Sequence, residues 1–229
     1  MFEVRNLSAA YGQSQVLHGI DLNVAPGEIV CLVGRNGMGK STLMKSLIGT
    51  MPARSGQIVV DGKDVTKLAS HQRVASGIAY VPQGRQIFGT MTVRENIETG
   101  LVVRGKDDVP SEIYDLFPIL KEFSGRRGGN LSGGQQQQLA IARALATEPK
   151  ILLLDEPTEG IQPSIIKDIA RLLKDIRSIR NICIVVCEQV LSFVLEIADR
   201  LLVMENGRIV HTDTRQNVNE AAIAKFLAV

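Results

Sequence analysis

The chain has 229 residues, of which 45% are hydrophobic and 22% charged, so it can bury a substantial core and is not expected to be disordered. Its 26 basic and 24 acidic residues leave a net charge of +2 without a polybasic block, which excludes the electrostatic footprint of a nucleic-acid or membrane-surface binder. The first residues lack the apolar core of a signal peptide, and the longest apolar runs are too short to span a bilayer. These features predict a soluble, cytoplasmic protein that reaches a membrane only through another chain.

Apolar runs predict a mixed sheet in the first part of the chain, followed by a helical insert. The change comes at residue 84, after which the pattern is helical up to residue 146, with a break at Gly125, Gly128 and Gly129. Before the insert we expect an antiparallel pair of strands at 2–8 and 16–24, a buried strand at 28–33, a helix at 40–48, and strands at 56–60 and 77–81.

Parallel α/β alternation returns after the insert. The predicted elements are a strand at 151–155, a helix with one apolar face at 163–177, a strand at 182–186, hairpin strands at 201–204 and 208–212, and a closing helix near 217–227. Together the elements predict an α/β fold with a mixed central sheet, an N-terminal antiparallel β region and a helical insert. We expect one domain over residues 1–229, with a helical subdomain at about 84–146.

The segment 34–42, GRNGMGKST, lies between a predicted strand and a predicted helix and matches the phosphate-binding pattern G-x-x-x-x-G-K-[ST]. Glycines let the N–H groups of such a loop curl around phosphate oxygens, and the helix points its positive end at the same anion. Lys40 would supply charge to the β- and γ-phosphates, Ser41 a hydroxyl ligand for Mg²⁺, and Thr42 a further hydroxyl. The alternative is an ordinary glycine-rich turn. The candidate nucleotide-binding residues are Gly34, Arg35, Asn36, Gly37, Met38, Gly39, Lys40, Ser41 and Thr42.

Two adjacent carboxylates, Asp155 and Glu156, end the apolar run ILLL. Because adjacent residues of an extended strand point to opposite sides, the two acids are expected to have different roles. Asp155 is predicted to hold Mg²⁺ through water, and Glu156 to face the γ-phosphate and act as general base towards the attacking water. The alternative is a pair of surface acids at a strand end.

The segment LSGGQ, residues 131–135, has two interpretations. Ser132 and Gln135 fit the capping box S-x-x-Q, and in the first interpretation they only begin a helix. Gly133 and Gly134 cost helix stability, however, and serve best where the backbone must approach another group closely. Bare N–H groups at a helix start also attract an anion. Since the P-loop already holds one nucleotide, the second interpretation predicts a second nucleotide, held by another subunit.

Four motifs, taken in their order, resemble those of the ATP-binding subunit of an ABC transporter. They are GRNGMGKST at 34–42, VPQG at 81–84, LSGGQ at 131–135 and LLLDEPT at 152–158, and the match covers essentially the whole chain. LSGGQ is highly specific to ABC-type ATPases. The resemblance implies a P-loop NTPase of the ABC ATPase class, with ATP and Mg²⁺ as cofactors and ATP hydrolysis as its activity.

The resemblance also implies roles for residues outside the P-loop. Tyr11 would stack on adenine, Gln83 would join Mg²⁺ and the water to the helical insert, and LSGGQ would close over ATP bound to the partner subunit. From its sequence context alone, Tyr11 is instead a half-buried aromatic at a turn.

Finer features resemble the shorter of the two ATPases in the branched-chain amino acid transport family. These are YDLFPIL, MTVRENI, DEPTEGIQPSII and VCEQ, and EGIQPSII is most similar to the urea-transporting branch. The resemblance implies import of urea, a related small amide or a branched-chain amino acid. It also implies a heterodimer with a second ABC ATPase subunit, transmembrane permease subunits, and a periplasmic or extracellular solute-binding protein. The chain would then lie at the cytoplasmic face of the inner or plasma membrane, bound through the permease.

Two glutamines depart from the general ABC pattern. Gln162 stands where the family usually has an Asp that contacts the partner, and Gln189 where it usually has a His near the γ-phosphate. Gln189 is still a candidate catalytic residue beside Glu156, because its amide can donate a hydrogen bond although it never titrates. The alternative is that Gln189 only ends a strand and begins a helix.

The rival function is a soluble ABC ATPase that acts on nucleic acid or ribosomes. The stretch between the P-loop and LSGGQ is too short for the long coiled coil of DNA-repair relatives, and the chain has one ATPase half where translation factors have two. No nucleic-acid partner is therefore expected. Glu156 argues against a third possibility, a structural subunit that does not hydrolyse ATP.

Overall fold

The computed structural model describes residues 1–227, which form two β-sheets and the helices around them. The strands are β1 (Phe2–Tyr11), β2 (Ser14–Val24), β3 (Ile29–Val33), β4 (Ala53–Val60), β5 (Lys63–Asp64), β6 (Ile78–Val81), β7 (Ile151–Asp155), β8 (Cys183–Glu188), β9 (Arg200–Glu205) and β10 (Arg208–Thr214). The α-helices are α1 (Lys40–Ile48), α2 (Ser70–Ala75), α3 (Val93–Leu101), α4 (Ser111–Leu116), α5 (Pro118–Glu122), α6 (Gly133–Ala146), α7 (Pro163–Arg180), α8 (Leu191–Ile197) and α9 (Glu220–Leu227).

The strand order matches the fold class predicted from the sequence. Strands β2, β1, β4 and β5 form an antiparallel sheet. The second sheet has the order β10-β9-β3-β8-β7-β6, and its strands are parallel except that β10 runs antiparallel to β9. The mixed central sheet and the N-terminal antiparallel region are thus confirmed.

Two apolar cores lie on opposite faces of the six-stranded sheet. On one face, Val30 and Leu32 of β3 pack with the antiparallel sheet and α1. On the other face, Ile29, Cys31 and Val33 pack with the helices of the insert and with α7 and α8. Burial on both faces explains why β3 reads as a continuous apolar run rather than an alternating one.

The predicted helical insert is confirmed as helical, and it is more divided than the sequence pattern indicated. It contains α3 to α6 and two 3-10 turns, Val102–Arg104 and Gly128–Asn130, the second of which falls at the predicted glycine break. The isolated bridge between Thr92 and Arg127 ties the start of α3 to this break. The bounds 84–146 for a separate subdomain stay a prediction.

Helix α2 is a helix that the sequence pattern missed, as it also missed the two-residue strand β5. Its six residues carry no apolar periodicity, and they are held by a tertiary contact. Arg73 is buried, and its guanidinium donates hydrogen bonds to the carbonyls of Ser46 and Leu47 near the end of α1, at 2.6 and 2.9 Å. The length of α7 was also underestimated. The sequence predicted a helix over 163–177, whereas α7 runs on to Arg180 and is followed by Asn181 in the left-handed conformation.

None of the helices within residues 1–227 is long and apolar enough to cross a membrane.

The parallel strands of the six-stranded sheet position the candidate site. Their carboxyl ends lie at one edge of the sheet, where the loops after β3, β6, β7 and β8 come together. Ligand sites of open α/β sheets form at this edge.

Candidate active site

A cavity of about 250 Å³ opens at the carboxyl edge of the six-stranded sheet. Three predicted site regions contribute to it, since the P-loop follows β3, Gln83 follows β6 and Glu156 follows β7. Val16 of β2 also reaches the cavity and was not foreseen. The lining residues are Val16, Asn36, Gly37, Gly39, Lys40, Ser41, Thr42, Gln83 and Glu156.

The P-loop takes a conformation that depends on its glycines. Gly37 and Gly39 have φ values of 80° and 103°, in the left-handed region that other residues adopt only with strain. A Cβ on Gly34 would lie 2.4 Å from the carbonyl oxygen of Met204, so that position cannot carry a side chain without a shift. The backbone of Met38 is held by a residue outside the P-loop, because its carbonyl accepts a hydrogen bond from the N–H of Gly207 at 3.0 Å.

Lys40 is almost fully buried at the first turn of α1. Its ammonium group donates to the carbonyls of Gly34 and Arg35, at 2.7 and 3.0 Å, and lies 3.9 Å from Oε1 of Glu156. The side chain of Arg35 itself is exposed. The positive charge is therefore held at the cavity by the loop's own carbonyls.

Ser41 and Asp155 are brought together as the sequence predicted. Ser41 Oγ donates to Asp155 Oδ1 at 3.2 Å, and Tyr80 Oη donates to Asp155 Oδ2 at 3.3 Å. Burial raises the pKa of Asp155 above its usual range, against the opposing effect of these hydrogen bonds and of Lys40.

The oxygen atoms of this pair fit Mg²⁺. Within residues 1–227, no three His, Cys, Asp or Glu side chains are close enough to bind a metal ion on their own. Mg²⁺ at nucleotide sites needs only one or two protein oxygens, because phosphates and water complete its octahedron. A hydroxyl and a carboxylate 3.2 Å apart beside the cavity meet that need.

The geometry of Glu156 corrects one premise of the sequence argument. We expected Asp155 and Glu156 to diverge as neighbours on an extended strand, but β7 ends at Asp155 and Glu156 has a φ of 48°. The left-handed turn, rather than strand alternation, separates the two carboxylates. Burial raises the pKa of Glu156 above its usual range, with hydrogen bonding from Gln189 and the charge of Lys40 acting in the opposite direction.

Gln189 and Gln83 both contact Glu156. Gln189 Nε2 donates to Glu156 Oε1 at 2.5 Å and to Oδ1 of Asn36 at 2.8 Å, so it joins the P-loop to the carboxylate. Gln83 Nε2 donates to Glu156 Oε2 and to Oε1 of Glu159, at 3.2 Å each. Gln189 directly follows the last residue of β8, and its catalytic role stays a prediction. The amide oxygen of Gln83 is its candidate ligand atom for a cation.

The LSGGQ segment begins α6 with the capping box that the sequence allowed. The N–H of Gln135 donates to Ser132 Oγ at 3.3 Å, and the N–H of Ser132 donates to Gln135 Oε1 at 2.9 Å. A Cβ on Gly134 would lie 2.4 Å from Cγ2 of Ile165, so close packing on α7 requires this glycine. Part of the glycine requirement is thus intramolecular. The segment does not line the P-loop cavity, and its second nucleotide stays a prediction.

Two other predicted positions lie at the surface. Tyr11 ends β1 directly before the turn at Gly12 and is 53% exposed, so the alternative of a half-buried turn aromatic stays open. It is not among the residues that line the cavity, and its stacking on adenine stays a prediction. Gln162 is exposed and directly precedes α7 without capping it through its side chain.

Comparison with known proteins identifies the family of this chain. The model of a family described as ABC transporter matches residues 17–159, which include the P-loop, the LSGGQ segment and Glu156. The chain belongs to the ABC transporter family. As an ABC ATPase it binds and hydrolyses ATP, as the motifs implied.

Relatives of this ABC ATPase cover nearly its whole length. BraG of Pseudomonas aeruginosa, a high-affinity branched-chain amino acid transport ATP-binding protein, is 43% identical over 93% of this chain and 93% of its own. LivF of Archaeoglobus fulgidus, a probable branched-chain amino acid transport ATP-binding protein, is 35% identical over 96% and 94%. The crystal structure of an ABC transporter ATP-binding cassette in its ADP conformation has a TM-score of 0.83, with 29% identity over 99% of this chain and 94% of that one.

Two residues around the site escaped the sequence reasoning. Tyr80 holds Asp155 from the neighbouring strand, and Glu188 is a buried carboxylate at the end of β8. A signal existed for Glu188, because an acidic residue directly after the apolar run 182–187 is unusual unless it is paired. Tyr80 offered none, since a tyrosine in a strand is ordinary.

The raised pKa of Asp155 predicts how stability depends on pH. A carboxyl whose pKa is higher in the folded state contributes stability that is complete below its unfolded pKa, about 3.9, and is lost as pH rises through the folded value. Without nucleotide and Mg²⁺, Asp155→Asn should therefore be more stable than the parent at pH 7, and the gain should shrink towards pH 4. Urea unfolding at the two pH values measures this.

Asp61→Asn is the matched control with the opposite sign. Hydrogen bonding from Lys150 and from the N-terminal amine holds the pKa of Asp61 below its usual range. This variant should lose stability at pH 7 and match the parent in acid. If Asp155→Asn instead lost stability at pH 7 as Asp61→Asn does, burial of the Asp155 charge would not be a cost.

Proposed function

We propose that this chain is the ATP-hydrolysing subunit of an ABC importer for a branched-chain amino acid, or for urea or a related small amide. The observation that carries the proposal is the convergence of Lys40, Ser41 and Glu156 on one cavity, with Asp155 hydrogen-bonded to Ser41 beside it. The descriptions of BraG and LivF support a branched-chain amino acid. The EGIQPSII stretch at 159–166 supports urea.

In the proposed mechanism, N–H groups of the P-loop and the ammonium group of Lys40 bind the β- and γ-phosphates, aided by the N-terminus of α1. Ser41, Asp155 and Gln83 would hold Mg²⁺, which supplies charge neutralisation on the phosphates when bound. Glu156 accepts a proton from the water whose oxygen attacks the γ-phosphorus, as the bond to the β-phosphate oxygen breaks. Burial suits Glu156 to this role, because a raised pKa makes the carboxylate a stronger base.

The proposed assembly contains a second ABC ATPase subunit. The start of α6 is capped but lies outside the P-loop cavity, so an ATP that it contacts would belong to the partner. Gln162 and Gln189 favour a heterodimer, in which a partner with the usual residues supplies the faster site. Light scattering of the isolated chain with and without ATP checks this, since a stable homodimer that needs no ATP would argue against it.

We propose that the permease binds in a groove of this chain. A cavity of about 700 Å³ between the insert and the core is lined mainly by apolar groups, among them Phe88 and Val103, which are 48% and 38% exposed. Pro82 and Gln86, which flank Gln83 closely, also line it. A cytoplasmic helix of a permease seated there would contact the loop that carries Gln83. This contact would keep the chain at the cytoplasmic face of the membrane, and the solute-binding protein would act on the other side.

A deletion strain tests the solute. The deletion strain should fail to grow on one of two sole nitrogen sources, urea or branched-chain amino acids. A plasmid that carries the gene should restore growth on that source. A plasmid that carries Glu156→Gln should not. Normal growth of the deletion strain on both sources, with unchanged uptake of labelled solute, would refute the proposed importer role.

The proposed role of Gln189 predicts a pH effect. In a heterodimer whose partner's catalytic carboxylate is neutralised, Gln189→His should hydrolyse ATP faster than the parent. It should also gain an inflection between about pH 6 and pH 7.5, because imidazole titrates there and an amide does not. The parent's turnover should lack that inflection. An unchanged rate and pH profile would remove Gln189 from the site.

A further inference from the structure

Glu188 is a buried carboxylate that the mechanism above does not use. It is the last residue of β8, is 3% exposed, and accepts four hydrogen bonds. Its Oε2 accepts from the hydroxyl and the N–H of Thr158, at 2.7 and 3.2 Å. Its Oε1 accepts from the N–H groups of Gln189 and Val190, at 2.7 and 3.2 Å. One carboxylate oxygen therefore accepts hydrogen bonds from the loop after β7, and the other accepts hydrogen bonds from the loop after β8.

Both loops carry groups of the active site. Thr158 lies two residues beyond Glu156, and Gln189 directly follows Glu188. The N–H of Glu156 also donates to the carbonyl of Cys187 at 2.9 Å, so the two loops are joined a second time beside Glu188. Contacts on both sides of Glu156 hold it in its left-handed conformation, which a residue with a side chain keeps only when its surroundings impose it.

An ionised carboxylate is costly to bury unless donors surround it. An apolar residue would fill the same space without that cost, but it could not fix the directions of donors from two different loops. A carboxylate with four donors specifies one arrangement of the loops.

We propose that Glu188 is a positioning residue, which sets the placement of Gln189 relative to Glu156 by bridging the loops that carry them. The inference rests on the proposed roles of Glu156 and Gln189 in ATP hydrolysis and is independent of the transported solute. It predicts that Glu188 affects turnover more than nucleotide binding, because its carboxylate bonds the loops after β7 and β8 and makes no hydrogen bond to the P-loop.

The test is ATP hydrolysis by Glu188→Gln in the full chain, assembled with its partner subunit where turnover requires it. The amide NH₂ group cannot accept from an N–H donor. Turned towards the loop after β8 it loses both hydrogen bonds there, and turned towards Thr158 it loses the one from the N–H, because only the hydroxyl can reverse and accept. We expect kcat to fall by about tenfold or more and KM for ATP to stay within about threefold. Glu188→Asp, which keeps both acceptor oxygens on a shorter side chain, should recover part of the loss. A wild-type kcat in Glu188→Gln would overturn the proposal.

A double-mutant cycle with Gln189→Ala tests whether Glu188 acts through Gln189. If Glu188 acts by placing Gln189, the effect of Glu188→Gln on kcat should shrink at least threefold in the Gln189→Ala background. Full additivity would overturn the proposal. The single variants separate the two claims. A wild-type kcat in Gln189→Ala would refute the proposed role of Gln189, whereas a wild-type kcat in Glu188→Gln alone would refute the bridge.

Arg73→Gln is the matched structural control. Arg73 is also buried and charged, with hydrogen bonds to four carbonyls, but it holds α2 against α1, away from the reacting groups. The Arg73→Gln variant should have a lower midpoint of unfolding and an unchanged kcat per folded molecule. An equal loss of kcat in this variant would show that Glu188→Gln acts through stability and would overturn the proposal. If Glu188→Gln does not fold, Thr158→Val is a milder variant, because it removes only the hydroxyl donor to Glu188. This variant should also lower kcat. A wild-type kcat in Thr158→Val would refute the bridge.

Discussion

Replacement of Glu156 by Gln should leave ATP binding within about threefold of the parent and lower turnover by at least about 10²-fold. The amide keeps the size of the side chain and can accept from Gln189 or Gln83, so the site is preserved. It cannot accept a proton from the attacking water. Equilibrium binding of a fluorescent ATP analogue and release of inorganic phosphate measure the two effects separately.

Glu159→Gln provides the matched control for this prediction. Glu159 accepts from the same Gln83 amide at the same distance of 3.2 Å, but its side chain is exposed and does not line the cavity. Its replacement should change turnover by less than about threefold. If Glu156→Gln turned over at the parent's rate, Glu156 would not be the base.

The raised pKa of Glu156 adds a pH dependence to the parent enzyme. Activity needs the ionised carboxylate, so it falls as pH falls through the pKa of this group. Because burial raises that pKa in the nucleotide-free protein, the acid limb of kcat/KM, which reports the free enzyme, should lie above about 4.3, the value for an unperturbed glutamate.

Lys40→Ala should weaken ATP binding by about 10²-fold, since it removes the ammonium group that would contact the β- and γ-phosphates. The exchange also takes away a cation 3.9 Å from Glu156, so the pKa of that carboxyl should rise further in the nucleotide-free protein. Isothermal titration with MgATP measures the first effect.

Lys45→Ala is the control for Lys40→Ala. Lys45 lies on the same helix α1 but is exposed to solvent and does not line the cavity. Its replacement should leave the affinity for MgATP nearly unchanged. An affinity in Lys40→Ala equal to that of this control would contradict the phosphate-binding role of Lys40.

Much of the fold could be predicted from local patterns. Helix α1 has the predicted bounds, because a glycine-rich loop and a run of helix-forming residues meet at Lys40. The hairpin of β9 and β10 was predicted from Asn206-Gly207, where positive φ values close a tight turn. Helix α2 could not be predicted, since its stability comes from Arg73 bonded to distant carbonyls.

Short motifs were enough to predict the chemistry of this protein: a P-loop with Lys40, an acidic pair at a strand end, and the LSGGQ signature. These signals are local, because each depends on residue types at short spacing. How the groups face one another follows from the three-dimensional fold. The sheet order β3-β8-β7 brings Gln189 between the P-loop and Glu156, and a left-handed turn at Glu156 separates it from Asp155. Strand order and backbone conformation depend on contacts between residues far apart in the chain, so no short motif encodes them.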